Sequence, residues 1–225
     1  MTKALIFGAS GLTGSELLKL LIELNHYDEV VSFVRKVTTP DGPRCRNILS
    51  DYNNLSMYVH EFKGADIFCC LGTTIRKVNY NKEAFKKADL YLPLEIAQLG
   101  AEFGSKQFLV ISSLSANANS NVFYSKIKGE MQEKLKAIKL YSIHVFQPSL
   151  LLGERKEYRL GERIGAAVLK GFNIFLSGRL FKYRAIKSYD VAKAMIQVAR
   201  NYTPGFHIYT SDQIQKIADA TSERK

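Results

Sequence analysis

Cysteine is scarce in this chain of 225 residues: Cys45, Cys69 and Cys70 are the only three. The count is odd and two of them are adjacent inside an apolar run, so neither a disulfide framework nor a CxxC metal clasp can be drawn. Read as reduced thiols, they point to a cytoplasmic protein. Long hydrophobic runs are missing too. No stretch reaches ~18 apolar residues, so no membrane span is expected. The opening Met1-Thr2-Lys3-Ala4-Leu5-Ile6-Phe7 faintly resembles a secretory leader, but its apolar run is too short and Gly8, Gly11 and Gly14 interrupt it at once. His26, His60, His144 and His207 are scattered without ligand spacing, so no metal is expected. Internal repeats and low-complexity linkers are also lacking. The expectation is one domain over residues 1–225, with residues 149–190 as a smaller substrate-side subregion.

Acidic residues are short in one half. The formal net charge is +11. Residues 1–110 hold 13 Lys/Arg against 12 Asp/Glu, whereas residues 111–225 hold 19 against 9. From Arg163 to Tyr189 there are six basic residues and no acidic one. A plain solvated basic face accounts for this, and so does weak contact of 163–187 with an acidic or membrane surface. Nucleic acid is not expected, since there is no helix-turn-helix signal, zinc-finger spacing or RNA-binding aromatic motif. Phe172, Phe175, Phe181 and Tyr183 read first as core aromatics, with a substrate wall or a membrane-touching patch as the alternatives.

What is present is a rhythm. Apolar runs at Lys3–Gly8, Glu29–Val34, Arg46–Leu49, Asp66–Leu71, Gln107–Ser112, Ser142–Gln147 and Phe206–Thr210 read as strands. They alternate with helix-period segments at Thr13–Leu24, Asn54–Phe62, Lys82–Phe103 (kinked at Pro93), Val122–Ile138, Ser188–Ala199 and Ser211–Ala220. Beyond Pro148 the rhythm breaks: Leu150–Leu160 reads as loop, Arg163–Leu169 as helix and Gly171–Lys187 as irregular. The pattern predicts an α/β fold, a Rossmann-type doubly wound parallel sheet with a small C-terminal substrate-side lobe.

Gly8, Gly11 and Gly14 fall between the first strand and the first helix. Dinucleotide binding needs such a turn. The chain must bend sharply, approach a pyrophosphate with its backbone, and offer the phosphates a helix N-terminus. The residue ending strand two commonly selects the cofactor, and an acidic one there would bind the ribose 2′-OH of NAD. The chain has Arg35-Lys36 instead. A guanidinium suits a 2′-phosphate, so NADP(H) is expected in preference to NAD(H), against the plainer reading of a strand-end charge facing water.

Tyr-x-x-x-Lys places a phenol and an ammonium one helical turn apart, where the cation favours phenolate. Such a tyrosine exchanges a proton with a carbonyl or alcohol oxygen while hydride moves to or from nicotinamide. The spacing occurs at Tyr124/Lys128, Tyr183/Lys187 and Tyr189/Lys193. Only Tyr124 follows strand five with a hydroxyl pair, Ser112-Ser113, just upstream. Ser113 is the first candidate to hydrogen-bond the substrate oxygen, with Ser112 as its alternative.

The glycine turn, Cys70-Leu71-Gly72-Thr73-Thr74, Ser112-Ser113 and Tyr124-Ser125-Lys126-Ile127-Lys128-Gly129-Glu130 together resemble the short-chain dehydrogenase/reductase superfamily. They are most similar to its atypical branch, typified by the Tat-interacting oxidoreductases. The resemblance covers nearly the whole chain. It implies Ser10, Leu12 and Thr13 at the pyrophosphate, Arg35 and Lys36 at the adenosine phosphate, and Asp51 near adenine. It also implies Leu71, Gly72 and Thr73 along the cofactor, Lys128 on the nicotinamide ribose, Pro148 beside the nicotinamide, and Ser113 and Tyr124 as catalytic groups. A fourth catalytic Asn used by many of these enzymes has no match, because Asn79 and Asn81 come too early. The expected activity is therefore hydride transfer with a small carbonyl or alcohol. The alternative is an NADPH-binding regulatory or sensing protein acting through a protein partner or an acidic membrane surface.

Overall fold

The structure, a computed structural model, describes residues 2–37, 41–153 and 178–220. Its first strand, β1 (Lys3–Phe7), leads through the glycine turn into α1 (Leu12–Glu23). Then come β2 (Glu29–Val34), β3 (Cys45–Leu49), a 3-10 turn Leu55–Glu61 and β4 (Ala65–Cys69). A long helical stretch follows as α2 (Lys82–Lys86), a π turn Lys87–Tyr91 and α3 (Leu92–Glu102). The chain continues through β5 (Gln107–Ile111), α4 (Phe123–Leu135), β6 (Ser142–Gln147) and a short β7 (Leu151–Leu152). After the segment 154–177 come β8 (Ile186–Lys187), α5 (Ser188–Ala199), β9 (Gly205–Thr210) and α6 (Ser211–Ala220).

Seven strands form one sheet in the order β3-β2-β1-β4-β5-β6-β9. Every pair in it is parallel. This is the Rossmann-type order with one strand added, and the C-terminal helices build a small lobe. Alternate residues of each strand feed two cores. Ala4, Ile6, Val30, Phe68 and Leu109 pack with α1, α5 and α6 on one face. Leu5, Phe7, Val31, Ile67 and Phe108 pack with α3 and α4 on the other. Helices on both faces explain why the strands read as unbroken apolar runs rather than alternating ones.

Two local readings change. The kink expected at Pro93 lies one turn earlier, as the π turn, and Pro93 itself stands in the first turn of α3. The reason is Pro93 all the same. It has no N–H to give the carbonyl of Asp89, four residues back, and its ring crowds that carbonyl. The loop expected at Leu150–Leu160 opens with β7, which pairs in parallel with β8. A two-residue strand has no periodicity to read. Lys187 holds the N-cap position of α5 with no side-chain bond. The expected helix Arg163–Leu169, and Phe172 and Phe175, lie outside the described residues. All three cysteines are free.

Candidate active site

Because the sheet is parallel, the turns following β1 to β6 all emerge at its C-terminal edge, where ligands of such sheets sit. In spatial order that edge carries Asp51, Arg35, the glycine turn, Leu71–Thr73, Ser112-Ser113 and Pro148. The strand order reverses between β1 and β4, and the glycine turn lies there.

The three turn glycines have different reasons. Gly8 has φ +87°, and a Cβ on it would lie 2.8 Å from the Cys70 carbonyl carbon and oxygen. A Cβ on Gly14 would lie 2.1 Å from the Gly8 carbonyl oxygen, so Gly14 sets how close α1 comes to β1. Gly11 caps α1 in an extended conformation, with its N–H donating to Gly8 O at 3.0 Å. Ser10 and Gly11 are exposed, Leu12 is half-buried, and Thr13 is buried with no partner for its Oγ1 among the described residues. An exposed helix N-terminus, a cradle that Cβ atoms would fill and an unpartnered hydroxyl together fit a dinucleotide phosphate.

At the ends of β5 and β6 a cleft of about 600 Å3 opens, lined among others by Ser112, Ser113, Tyr124, Pro148, Leu151 and Tyr183. Five residues singled out in the sequence thus meet in one space. The two serines differ. Ser112 is buried and its Oγ accepts from Gln132 Nε2 at 2.5 Å, while Gln132 Oε1 accepts from Gln147 Nε2 at 2.9 Å. Ser113 is half-buried, and among the described residues its Oγ meets only the neighbouring Ser115 hydroxyl (3.1 Å) and N–H (3.3 Å). Ser113 is therefore the hydroxyl open to a ligand. Tyr124 is 37% exposed, its ring edge-on to Phe85 with centroids 6.0 Å apart. Gly129 lets this region close: a Cβ there would lie 2.1 Å from Ala118 N, so the loop after Ser113 lies directly on α4.

Lys128 is 3% exposed, with its Nζ 2.8 Å from Asp89 Oδ1. Burial works against the ammonium, but the Asp89 carboxylate and Tyr124 outweigh it and hold its pKa above the ordinary lysine value. Asp89 is buried in the π turn and its Oδ2 accepts from Thr73 N–H at 2.8 Å. Composition and spacing gave no hint of Asp89. The only sequence signal was Pro93, four residues on.

The other tyrosine–lysine spacings separate from the cleft in different ways. Tyr183 ends a 3-10 turn and Lys187 lies on β8, so this pair shares no helix, although Tyr183 does reach the cleft. Tyr189 and Lys193 share α5, which packs over α1. Leu71 is half-buried and Gly72 exposed beside Thr73. Asp51 is exposed in a turn of its own, accepting from Asn53 N–H at 2.9 Å, and that bond holds its carboxyl below the usual range. In the basic segment, Arg184 stacks on Phe181 at 4.4 Å and Lys182 stands 5.2 Å over Tyr183. Residues 163–177 of that segment lie outside the described residues. Among the described residues no helix is long and apolar enough to cross a membrane.

Residues 4–209 match the model of the NAD dependent epimerase/dehydratase family. The chain belongs to this family. It is an enzyme of NAD(P)-dependent oxidoreductase type. Its relatives include protein HTATIP2 of Rattus norvegicus, 36% identical over 161 residues, which are 70% of this chain and 66% of that protein. That relative bears out the resemblance to the Tat-interacting branch. Protein FMP52, mitochondrial, of Candida albicans is 31% identical over 232 residues, covering 96% of this chain and 97% of the relative. Among solved structures, MoeE5 in complex with UDP-glucose and NAD shares the fold with a TM-score of 0.70 at 16% identity, over 98% of this chain and 82% of that one.

Two expectations are corrected by these likenesses. NADP(H) was expected over NAD(H), but the fold neighbours described with a cofactor carry NAD. Arg35 and Lys36 stand exposed at the end of β2, as a solvated strand-end charge does. The cytoplasmic expectation is corrected by the FMP52 relatives, whose names are mitochondrial. It rested on reduced cysteines, and free thiols report a redox state rather than an address.

Proposed function

We propose that this enzyme transfers hydride between NAD(H) and a small carbonyl or alcohol substrate, with Tyr124 as general acid and base. The observation that carries the reading is the cleft at the ends of β5 and β6, in which Ser113, Tyr124 and Pro148 face one space. Bound nicotinamide supplies or accepts the hydride. In the reducing direction the Tyr124 hydroxyl gives its proton to the substrate oxygen as the carbonyl carbon is reduced. The Ser113 hydroxyl donates a hydrogen bond to the same oxygen. Lys128 holds the ribose and places positive charge behind Tyr124. In the oxidising direction Tyr124 takes the alcohol proton. Ser10, Gly11, Leu12 and Thr13 hold the pyrophosphate, Asp51 lies toward adenine, and Leu71, Gly72 and Thr73 line the cofactor.

A panel of small carbonyls with NADH tests this. Wild type is expected to consume NADH. Tyr124→Phe keeps NADH affinity within a few-fold and loses roughly 10²–10⁴ in turnover, the span of general acid–base groups. NADH binding without turnover on any carbonyl or alcohol, or full turnover by Tyr124→Phe, would remove Tyr124 from the chemistry.

A further inference from the structure

The Asp89–Lys128 ion pair is costly to build. Both side chains are almost wholly enclosed, at 1% and 4% exposure. Such pairs contribute little net stability, because desolvation offsets the attraction, and an apolar pair of similar size is often as stable. What this pair does have is location. Asp89 Oδ1 faces Lys128 Nζ at 2.8 Å, and Asp89 Oδ2 takes the Thr73 N–H at 2.8 Å. A Cβ built on Gly72 would lie 3.4 Å from Asp89 Oδ1 and 4.0 Å from Lys128 Nζ, so the pair lies directly under the backbone of the Leu71–Thr73 loop. The same ammonium feels Tyr124 on its own helix and Cys69 on β4. The Cys69 thiol, pushed up to about 12 by burial, is neutral, so Asp89 is the carboxylate that answers Lys128. The carboxylate gets there because the π turn re-aims that stretch of helix inward.

We propose that Asp89 is a positioning residue that fixes Lys128 and the Leu71–Thr73 loop in one arrangement, coupling cofactor binding to the Tyr124/Lys128 pair. The proposal rests on the reading of Lys128 given above. One carboxylate with two oxygens spans two elements that each face the dinucleotide from a different strand end. An amide cannot replace it fully: Asn offers one acceptor, and its NH2 would then face either Thr73 N–H or the Lys128 ammonium, donor against donor.

A mutant cycle on cofactor affinity tests the coupling without needing a substrate. NAD binding is measured by calorimetry for wild type, Asp89→Asn, Lys128→Met and the double variant, with thermal melts alongside. Asp89→Asn is expected to weaken NAD about tenfold, within the usual range of coupling between sites. In the Lys128→Met background the same change is expected to cost clearly less, because only its hold on the Thr73 N–H is left to lose. Asp89→Glu keeps the charge and should recover part of the loss. Equal fold-losses in both backgrounds, or no loss in wild type, would overturn the proposal. Should Asp89→Asn not fold, amide exchange decides: Thr73 N–H is expected to exchange faster in Lys128→Met than in wild type, and unchanged protection counts against the coupling. If wild type turns over no substrate, the hydride-transfer reading fails while the affinity cycle still reports on Asp89.

Discussion

Asp66 shows how much one buried group depends on its neighbours. It lies 1% exposed on β4, and its Oδ2 accepts from the Tyr27 hydroxyl at 2.7 Å and the Tyr202 hydroxyl at 3.0 Å. Gln107 stands beside it in the β4–β5 register. Burial pushes the Asp66 carboxyl up. A proton on the carboxyl removes the buried charge. A raised folded-state value means stability is full below the ordinary carboxylate range and is lost as pH rises through the folded value. Asp66→Asn is neutral and does not titrate. It should leave stability at pH 7 unchanged within about 1 kcal/mol, or raise it, whereas Asp66→Ala leaves two hydroxyls unmatched and costs about 2–4 kcal/mol. Urea unfolding of the two variants compares them. An Asn variant as damaged as the Ala variant would show that the charge itself is needed.

At the scale of elements, the turn from β1 into α1 divides its duties between two glycines. Gly14 serves packing, since its Cβ would sit 2.1 Å from the Gly8 oxygen. Gly11 has only that oxygen within close range, at 3.2 Å, and an extended backbone that a branched residue accepts. Gly14→Ala is therefore expected to cost about 3 kcal/mol of stability, through overpacking against backbone that cannot move aside. Gly11→Val should keep the fold and lose NAD affinity at least about tenfold, because its side chain occupies the approach to the phosphates. Melting curves and NADH fluorescence titration separate the two effects; the chain has no tryptophan to interfere. A Gly11→Val protein that is folded and binds NAD normally would dissociate the cofactor from this turn.

For the whole molecule, the β6–β9 seam holds a pH response. His144 is fully buried on β6, with Nε2 2.7 Å from Ser142 Oγ and Nδ1 3.1 Å from the Tyr209 hydroxyl, and it stacks on His207 with centroids 5.2 Å apart. Burial first, then the neighbouring His207, lower its pKa from 6.5 to about 4. The folded state holds His144 neutral while the unfolded chain takes up a proton, so this share of stability is present above pH 6.5 and lost as pH falls toward 4. The loss is about 3 kcal/mol across that window. His144→Gln should show a correspondingly flatter profile in urea unfolding between pH 7 and pH 4. Equal slopes in the two proteins would mean that His144 is not the group responsible.

The sheet was legible because its signals are local. Glu29–Val34 and Ser142–Gln147 match their strands end to end, and Ser188–Ala199 and Ser211–Ala220 their helices, since apolar period and chain length decide such segments without reference to the rest. The glycine turn was legible for the same reason. Its spacing sits between one strand and one helix. Cofactor choice was not, because a cation after β2 reads alike whether it meets a phosphate or water.

By itself the sequence determined the order of strands and helices, the turn that starts α1 and the helix that carries Tyr124 and Lys128. Only the tertiary structure decided what stands around them. It put Ser112 onto Gln132 and left Ser113 open, brought Tyr183 across to the cleft, and seated Asp89 against Lys128, 39 residues away in the chain. Periodicity records which face of an element is buried. Which side chains then meet across the sheet's edge depends on strand order and on one π turn, and neither repeats along the chain for a reader to find.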